Sequence, residues 1–328
     1  MGGNVRFAVF VGGIFAATIC LPAQQTDGGA RRPVRSAPIR TNDGSSELQG
    51  IWTNGTATPL ERPAEFADRA SLTESEAAEF EKFGFARLLK KLPQEEIAVA
   101  GDLSDAYLDT STFKLAGDRR TSLIVMPTNG KLPARRTAEK KADPDAKPSY
   151  DDPESFDFEE RCLMSMAFGS SNATPPMIPN PFGLNFYQIV QTPTHVLIFS
   201  ELIHDVRIIR IGGRHLPRRI QLWRGDSIGR WENETLVVDT TNFSEKARYG
   251  GAGERLHVVE RFTRTDADTI SYRVTVDDPD TWATPWTADI PFKASTDRMF
   301  EFACHEANYS IGNSLRGART VEKEASLR

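Results

Sequence analysis

The chain has 328 residues, of which 39% are hydrophobic and 26% charged, and a formal net charge of -5. A mildly acidic chain offers no electrostatic footprint for nucleic acid, so partners of that class are not expected. No G-x-S-x-G, H-E-x-x-H or G-x-x-x-x-G-K motif is present and none of the five histidines shows ligand spacing, so neither a metal nor a cofactor is expected.

At the N-terminus Arg6 precedes an apolar run from Phe7 to Leu21, followed by Pro22, Ala23 and Gln24. A positive residue, an apolar core and a small residue before a polar stretch read as a secretory signal peptide over 1–23. The run is shorter than the ~20 apolar residues a bilayer span requires. Ile19 directly before Cys20 argues against a lipid attachment site. Export places the protein in the periplasm or outside the cell, with no membrane role after signal removal. It also leaves Cys162 and Cys304 as a pair in an oxidising compartment, which points to one disulfide; two buried free thiols are the alternative.

Residues 24–47 are rich in Gly, Pro, Arg, Ser and Thr and read as a flexible linker. An N-terminal extension follows over 48–157. It opens with the short apolar segment 48–53, where Ile51 and Trp52 can enter a core. Thr73 and Glu76 form a capping box ahead of a helix to about Leu92, with Ala77, Phe80 and Phe83 as its buried stripe and Pro93 as its stop. A strand is expected at 121–126, closed by the Asn129-Gly130 turn. The mixed-charge stretch 131–153 reads as a solvated loop.

From 158 to 328 the pattern is a β body with a C-terminal tail. Strands are expected at 185–191, 195–201, 205–211, 235–241, 256–264, 269–277, 287–292 and 299–305, each short, rich in β-branched and aromatic residues and bounded by turn formers. The fold class is therefore mainly β: a curled antiparallel meander or barrel carrying a helix-containing extension, with a two-sheet sandwich as the rival.

The phrases GIWTN at 50–54, GDSIGRWENETLVVDTTNF at 225–243, ERFTR at 260–264 and CHEANY at 304–309 resemble an uncharacterised family of exported bacterial proteins. That resemblance implies export and a single-piece architecture but no chemistry. The G-x-W opening followed by a meander is also similar to lipocalin-like barrels.

Chemistry is then sought in charged residues on strands that should have an apolar face. Glu260 shares a face with Val258 and Phe262, while His257, Val259 and Arg261 share the other. Glu201 follows Leu197 and Phe199, Asp239 neighbours Val237, and His305 neighbours Ala303. A barrel lined by Glu201, Arg207, Asp239, Glu260, Arg273 and His305 would hold a polar pocket within an apolar shell. The bland alternative places them on solvent-facing sides of half-exposed strands. His204 beside Asp205, and His305 beside the expected disulfide, are the expected acid–base residues, with Glu260 as their carboxylate. Three functions compete: a binding barrel for a small, partly apolar or carbohydrate-like ligand; a cofactor-independent lyase, isomerase or hydrolase in the same pocket; and a structural or interaction protein with a packed interior.

Overall fold

The computed structural model describes residues 41, 44, 46–66, 69–89, 114–136, 150–158, 160–164, 174–180, 183–247, 249–306 and 308–327. The expected signal peptide and most of the expected linker lie outside these residues.

Ten strands are seen among the described residues: β1 Gly50–Thr53, β2 Ile124–Met126, β3 Phe186–Gln191, β4 His195–Ser200, β5 Val206–Ile211, β6 Asp226–Glu232, β7 Thr235–Thr241, β8 His257–Arg264, β9 Thr269–Asp277 and β10 Trp286–Ala294. Two helices accompany them, α1 Glu74–Leu89 and α2 Ser310–Ser326. Nine of the strands close into a barrel, running from β1 to β3 and on in sequence to β10, which pairs back with β1. Strand β2 lies on the same edge of β10 as β1, opposite Thr287 and Ala288, whereas β1 sits opposite Lys293 and Ala294. The mainly β barrel expected from the sequence is thus the observed fold.

Strands that alternate in direction cannot close a ring with an odd number, so one neighbouring pair must run parallel. That pair is β5 and β6, with Arg210 opposite Ile228 and Ile211 opposite Gly229. Parallel neighbours cannot be joined by a hairpin, because the chain must return along the strands before starting the next one. Residues 212–225 make that return. Its last residue, Gly225, has φ of 71°, and a Cβ there would sit 2.7 Å from Thr240 Cγ2.

Inward-facing Tyr187, Ile189, Val196, Ile198, Ile209, Leu236, Val238, Val258, Phe262, Ile270, Tyr272, Val274, Trp286, Ile290 and Phe292 belong to one buried cluster with Trp52 and Leu48. Their rings meet at offset and edge-on angles, as in Phe262–Tyr272 with centroids 4.9 Å apart and Tyr272–Phe292 at 5.4 Å. Burying each such side chain contributes about 1.5–3 kcal/mol, which makes this cluster the main driving force of the fold. Trp52 enters it as expected, while Ile51 is only partly buried.

Helix α1 begins where the sequence places it. Thr73 Oγ1 accepts from Glu76 N at 3.3 Å and Glu76 Oε2 accepts from Thr73 N at 2.9 Å, which satisfies two otherwise open donors. Ala77 is buried with Leu72 and Leu115, and Phe80 packs against them. The expected end of the helix at about Leu92, and Pro93, lie outside the described residues. The strand expected over 121–126 is shortened to β2, because Ser122 Oγ turns back to the carbonyls of Leu60, Ile124 and Gly130.

Three elements depart from the sequence reading. Strand β6 was not expected, since its inward positions Ser227 and Gly229 carry no apolar alternation. Helix α2 replaces the expected tail; Gly312 and Gly317 weaken its sequence signal and no residue of it is buried. The strand expected over 299–305 does not form, although its residues alternate well. The nine-strand ring closes without this segment, which instead runs to Cys304, bonded to Cys162. The expected disulfide is therefore present, joining the stretch before β3 to the stretch after β10.

Candidate functional site

The barrel ends differ in chemistry. At one end β1, β4, β7 and β9 finish while β3, β5, β6, β8 and β10 begin, and several polar side chains face inward there. Arg207 of β5 and Glu260 of β8 form its centre, with side chains 2% and 0% exposed. Arg207 Nη1 donates to Glu260 Oε1 at 2.8 Å and Nη2 donates to Oε2, giving a two-pronged pair. The guanidinium also donates to Ser227 Oγ at 3.0 and 3.2 Å and to Thr240 Oγ1 at 3.0 Å. Tyr272 OH donates to Glu260 Oε1 at 2.8 Å and accepts from Met177 N at 3.0 Å. Burial first, then the neighbouring Glu260 charge, hold the Tyr272 phenol well above its ordinary pKa, so it serves as a fixed donor.

The segment around Met177 plugs this end. Met177 and Ile178 are buried against the barrel core, Asn54 Nδ2 donates to Met177 O at 3.1 Å, and the Asn185 side chain bridges both main-chain groups of Asn180 at 2.7 Å.

At the same end of the barrel, several buried polar atoms have no hydrogen-bond partner among the described residues: Asn54 Oδ1, Tyr187 OH, Ser200 Oγ, Glu201 Oε2 and Trp286 Nε1. The strand register groups them. Tyr187 and Ser200 are cross-strand partners that both face inward, Asn54 follows β1 and donates its main-chain N–H to Asn185, Glu201 follows Ser200, and Trp286 opens β10 at the same end. Asn54 stands close to the Tyr187 phenol but outside hydrogen-bond geometry. Glu201 is 4% exposed and, among the described residues, accepts from Phe300 N alone, at 2.9 Å through Oε1. Burial pushes its carboxyl above the usual range, an effect that the Phe300 amide opposes. An unpaired buried polar atom costs about 1–3 kcal/mol, so several at one end are an expensive arrangement unless something meets them.

Of the residues expected to line a pocket, Glu201, Arg207 and Glu260 face the interior or its mouth, and the last two meet directly. The others correct the expectation. Arg273 is on the outer face of β9 near Asp289, because Tyr272 and Val274 take the inward positions. Asp239 is on the outer face of β7 for the same reason, between inward Val238 and Thr240. His305 is exposed beyond the disulfide. His204 is exposed too, its Nδ1 3.3 Å from Phe302 O, while the adjoining Asp205 pairs with Arg224. His204, His305 and Glu260 therefore do not converge.

Sequence reasoning missed a second polar group, on the outer faces of β6–β8. His215, carried there by the return segment 212–225, has Nδ1 3.0 Å from Asp226 Oδ2 and Nε2 3.0 Å from Asp239 Oδ1. His257 Nε2 also lies 3.0 Å from Asp239 Oδ1, and Arg210 Nη2 donates to Asp226 Oδ1 at 2.7 Å. The His257 hydrogen bond is the main cause holding Asp239 below its ordinary pKa, and the same bond raises His257. Among the described residues, no group of three or more His, Cys, Asp or Glu is arranged to hold a metal ion. No local motif announces this cluster, since its members come from four strands and a loop.

In comparisons with known proteins, no family model, no curated protein and no solved structure matches the chain.

Proposed function

We propose that the protein is an exported binding barrel that takes a small, hydroxyl-rich ligand, a sugar or polyol, at the polar end of its interior. The observation that carries this reading is the set of unpartnered buried atoms on Asn54, Tyr187, Ser200, Glu201 and Trp286. It mixes acceptors (the amide oxygen and the carboxylate) with a donor (the indole N–H) and two hydroxyls that do either. A ligand hydroxyl is likewise donor and acceptor, so one polyol can meet all of them. The Trp286 indole and Tyr187 phenol, both at this end of the barrel, offer aromatic surface to a sugar ring. Export is supported by the signal-like segment 1–23, the resemblance to exported bacterial proteins and a disulfide, which persists in oxidising compartments.

Removing an atom that has no partner leaves the free protein unharmed while removing a contact to the ligand. Tyr187→Phe and Ser200→Ala are therefore expected to melt within about 0.5 kcal/mol of the parent, or slightly above it, when no ligand is present. The parent, screened by thermal shift against monosaccharides, oligosaccharides and polyols, is expected to gain stability with at least one compound, and both variants to lose most of that gain. Destabilisation of both free variants by 2 kcal/mol or more would show that these hydroxyls already serve the fold, and the reading would fail. A parent that responds to no hydroxylated compound would also end it.

A further inference from the structure

The return segment 212–225 carries a surface that closing the barrel does not require. We infer that its exposed tip is a peripheral membrane contact, pressing two arginines and three apolar side chains against a bilayer with anionic headgroups. The segment holds Arg214, Arg218, Arg219 and Arg224 and no Asp or Glu, in a chain whose net charge is -5. Arg224 is engaged, donating from Nε to Asp205 Oδ2 at 2.7 Å and from Nη1 to Thr174 Oγ1 at 2.5 Å. Arg218 and Arg219 are exposed and make no ion pair among the described residues. They occupy the corner of a turn closed by Ile220 N donating to Pro217 O at 2.8 Å. Directly after them Ile220, Leu222 and Trp223 are 39%, 40% and 43% exposed.

This surface is held in shape before any partner arrives. On one side Leu216 N donates to Asp226 Oδ2 and Asn242 Nδ2 donates to Leu216 O. On the other, Leu222 N donates to Asn242 O, Leu222 O accepts from Ser244 N, and the Trp223 ring stands edge-on to Phe158 with centroids 5.5 Å apart. A loop already fixed loses little conformational freedom on docking. The Arg224–Asp205 pair draws its end to the start of β5, whose outward Val206 and Ile208 extend the exposed apolar surface.

Charge alone would suit any polyanion, since guanidinium groups bind phosphate wherever it is displayed. The apolar half decides for a bilayer. Ile, Leu and Trp side chains gain nothing from a hydrated soluble polyanion, whereas the headgroup–acyl boundary removes them from water and favours Trp in particular. Basic residues beside such a surface add attraction to anionic lipid. No helix of the described residues is long and apolar enough to cross a membrane.

The test is cosedimentation of the full-length chain with vesicles of equal phosphatidylcholine and phosphatidylglycerol, against vesicles of phosphatidylcholine alone and against soluble polyphosphate. Parent and variants share the apolar segment near the N-terminus, so their difference reports the loop. The parent is expected to prefer the anionic vesicles. R218Q/R219Q should weaken that binding by about thirty-fold, from the loss of two charges at the surface. Ile220→Ser should weaken it by about tenfold through lost apolar burial. All three residues are exposed, so melting temperatures should match the parent. Equal binding by parent and variants overturns the inference, as does a parent that ignores vesicles. Binding to polyphosphate without binding to vesicles overturns it in favour of a soluble polyanion.

Discussion

Strands β5 to β8 carry a polar network on each of their two faces, and each network pairs an arginine with a carboxylate. Inside the barrel run Arg207, Ser227, Thr240 and Glu260; outside run Arg210, Asp226, Asp239 and His257, with His215 laid across them. The difference is solvent. The inner pair has lost its water and meets its needs through three neighbouring groups, Ser227, Thr240 and Tyr272, in fixed geometry, so its members depend on one another strongly. The outer group keeps part of its water, so each link is weaker and proton exchange with solvent stays open. A charge on a strand therefore tells little until its face is known, and the face is settled by a one-residue register.

The largest effect tests the inner network. Glu260→Ala should destabilise the protein by about 3–5 kcal/mol in urea unfolding, because it strands the Arg207 guanidinium without its counter-charge. Replacing both members, Arg207→Met with Glu260→Leu, should cost less than that single change. Ser227 and Thr240 still hydrogen-bond each other and Tyr272 OH still accepts from Met177 N, so each hydroxyl keeps one partner even though the Tyr272 O–H loses its acceptor. A double variant less stable than Glu260→Ala would mean that the pair stabilises by more than mutual compensation.

Outside, Asp239→Asn removes the carboxylate shared by two histidines and should cost about 1 kcal/mol, as half-exposed charge pairs do. A loss as large as that at Glu260 would erase the distinction between the two faces.

The smallest effect is the dependence on pH. His257 is raised, so its contribution is complete below its unfolded value of about 6.5 and fades as pH rises through the folded value. Asp239 is lowered, so its contribution is complete above about 3.9 and fades as pH falls through the folded value. Their joint contribution should peak between about pH 4 and 6.5. Melting curves across pH 4–8 should show a decline above that window in the parent, with a shallower decline in Asp239→Asn. Equal slopes would place the responsible group elsewhere.

The sequence exposes these strands unevenly. Strands β7 and β9 are found at their observed bounds because Leu236, Val238, Ile270, Tyr272 and Val274 repeat with the two-residue period of a buried face. Strand β6 hides because its inner positions accommodate Arg207 and the crowded parallel junction, where a Cβ on Gly229 would lie 3.0 Å from Ile209 and Ile211. Residues 299–305 mislead for the opposite reason: their alternation is good, but the nine-strand ring closes without them. Arg207 and Glu260 are legible as charges out of place on apolar faces. Asp239 and Arg273 give the same local signal and face outward, since the sequence does not say which of two alternating faces is buried. Asn54, Tyr187 and Ser200 are ordinary strand-end residues until the barrel brings them together, and His215 reaches its partners through a connection whose path only the parallel pair dictates.

The bond between Cys162 and Cys304 spans 142 residues and encloses β3 through β10, eight of the nine barrel strands. Those residues form a covalent ring, from which β1 and both chain ends hang as branches. A single peptide cleavage inside the ring, at the exposed 217–223 tip for instance, opens the circle without releasing a fragment. The nicked molecule keeps its intact mass plus one water until a reductant separates two pieces, and a host protease acting once on that loop would leave the barrel's strands tethered to one another.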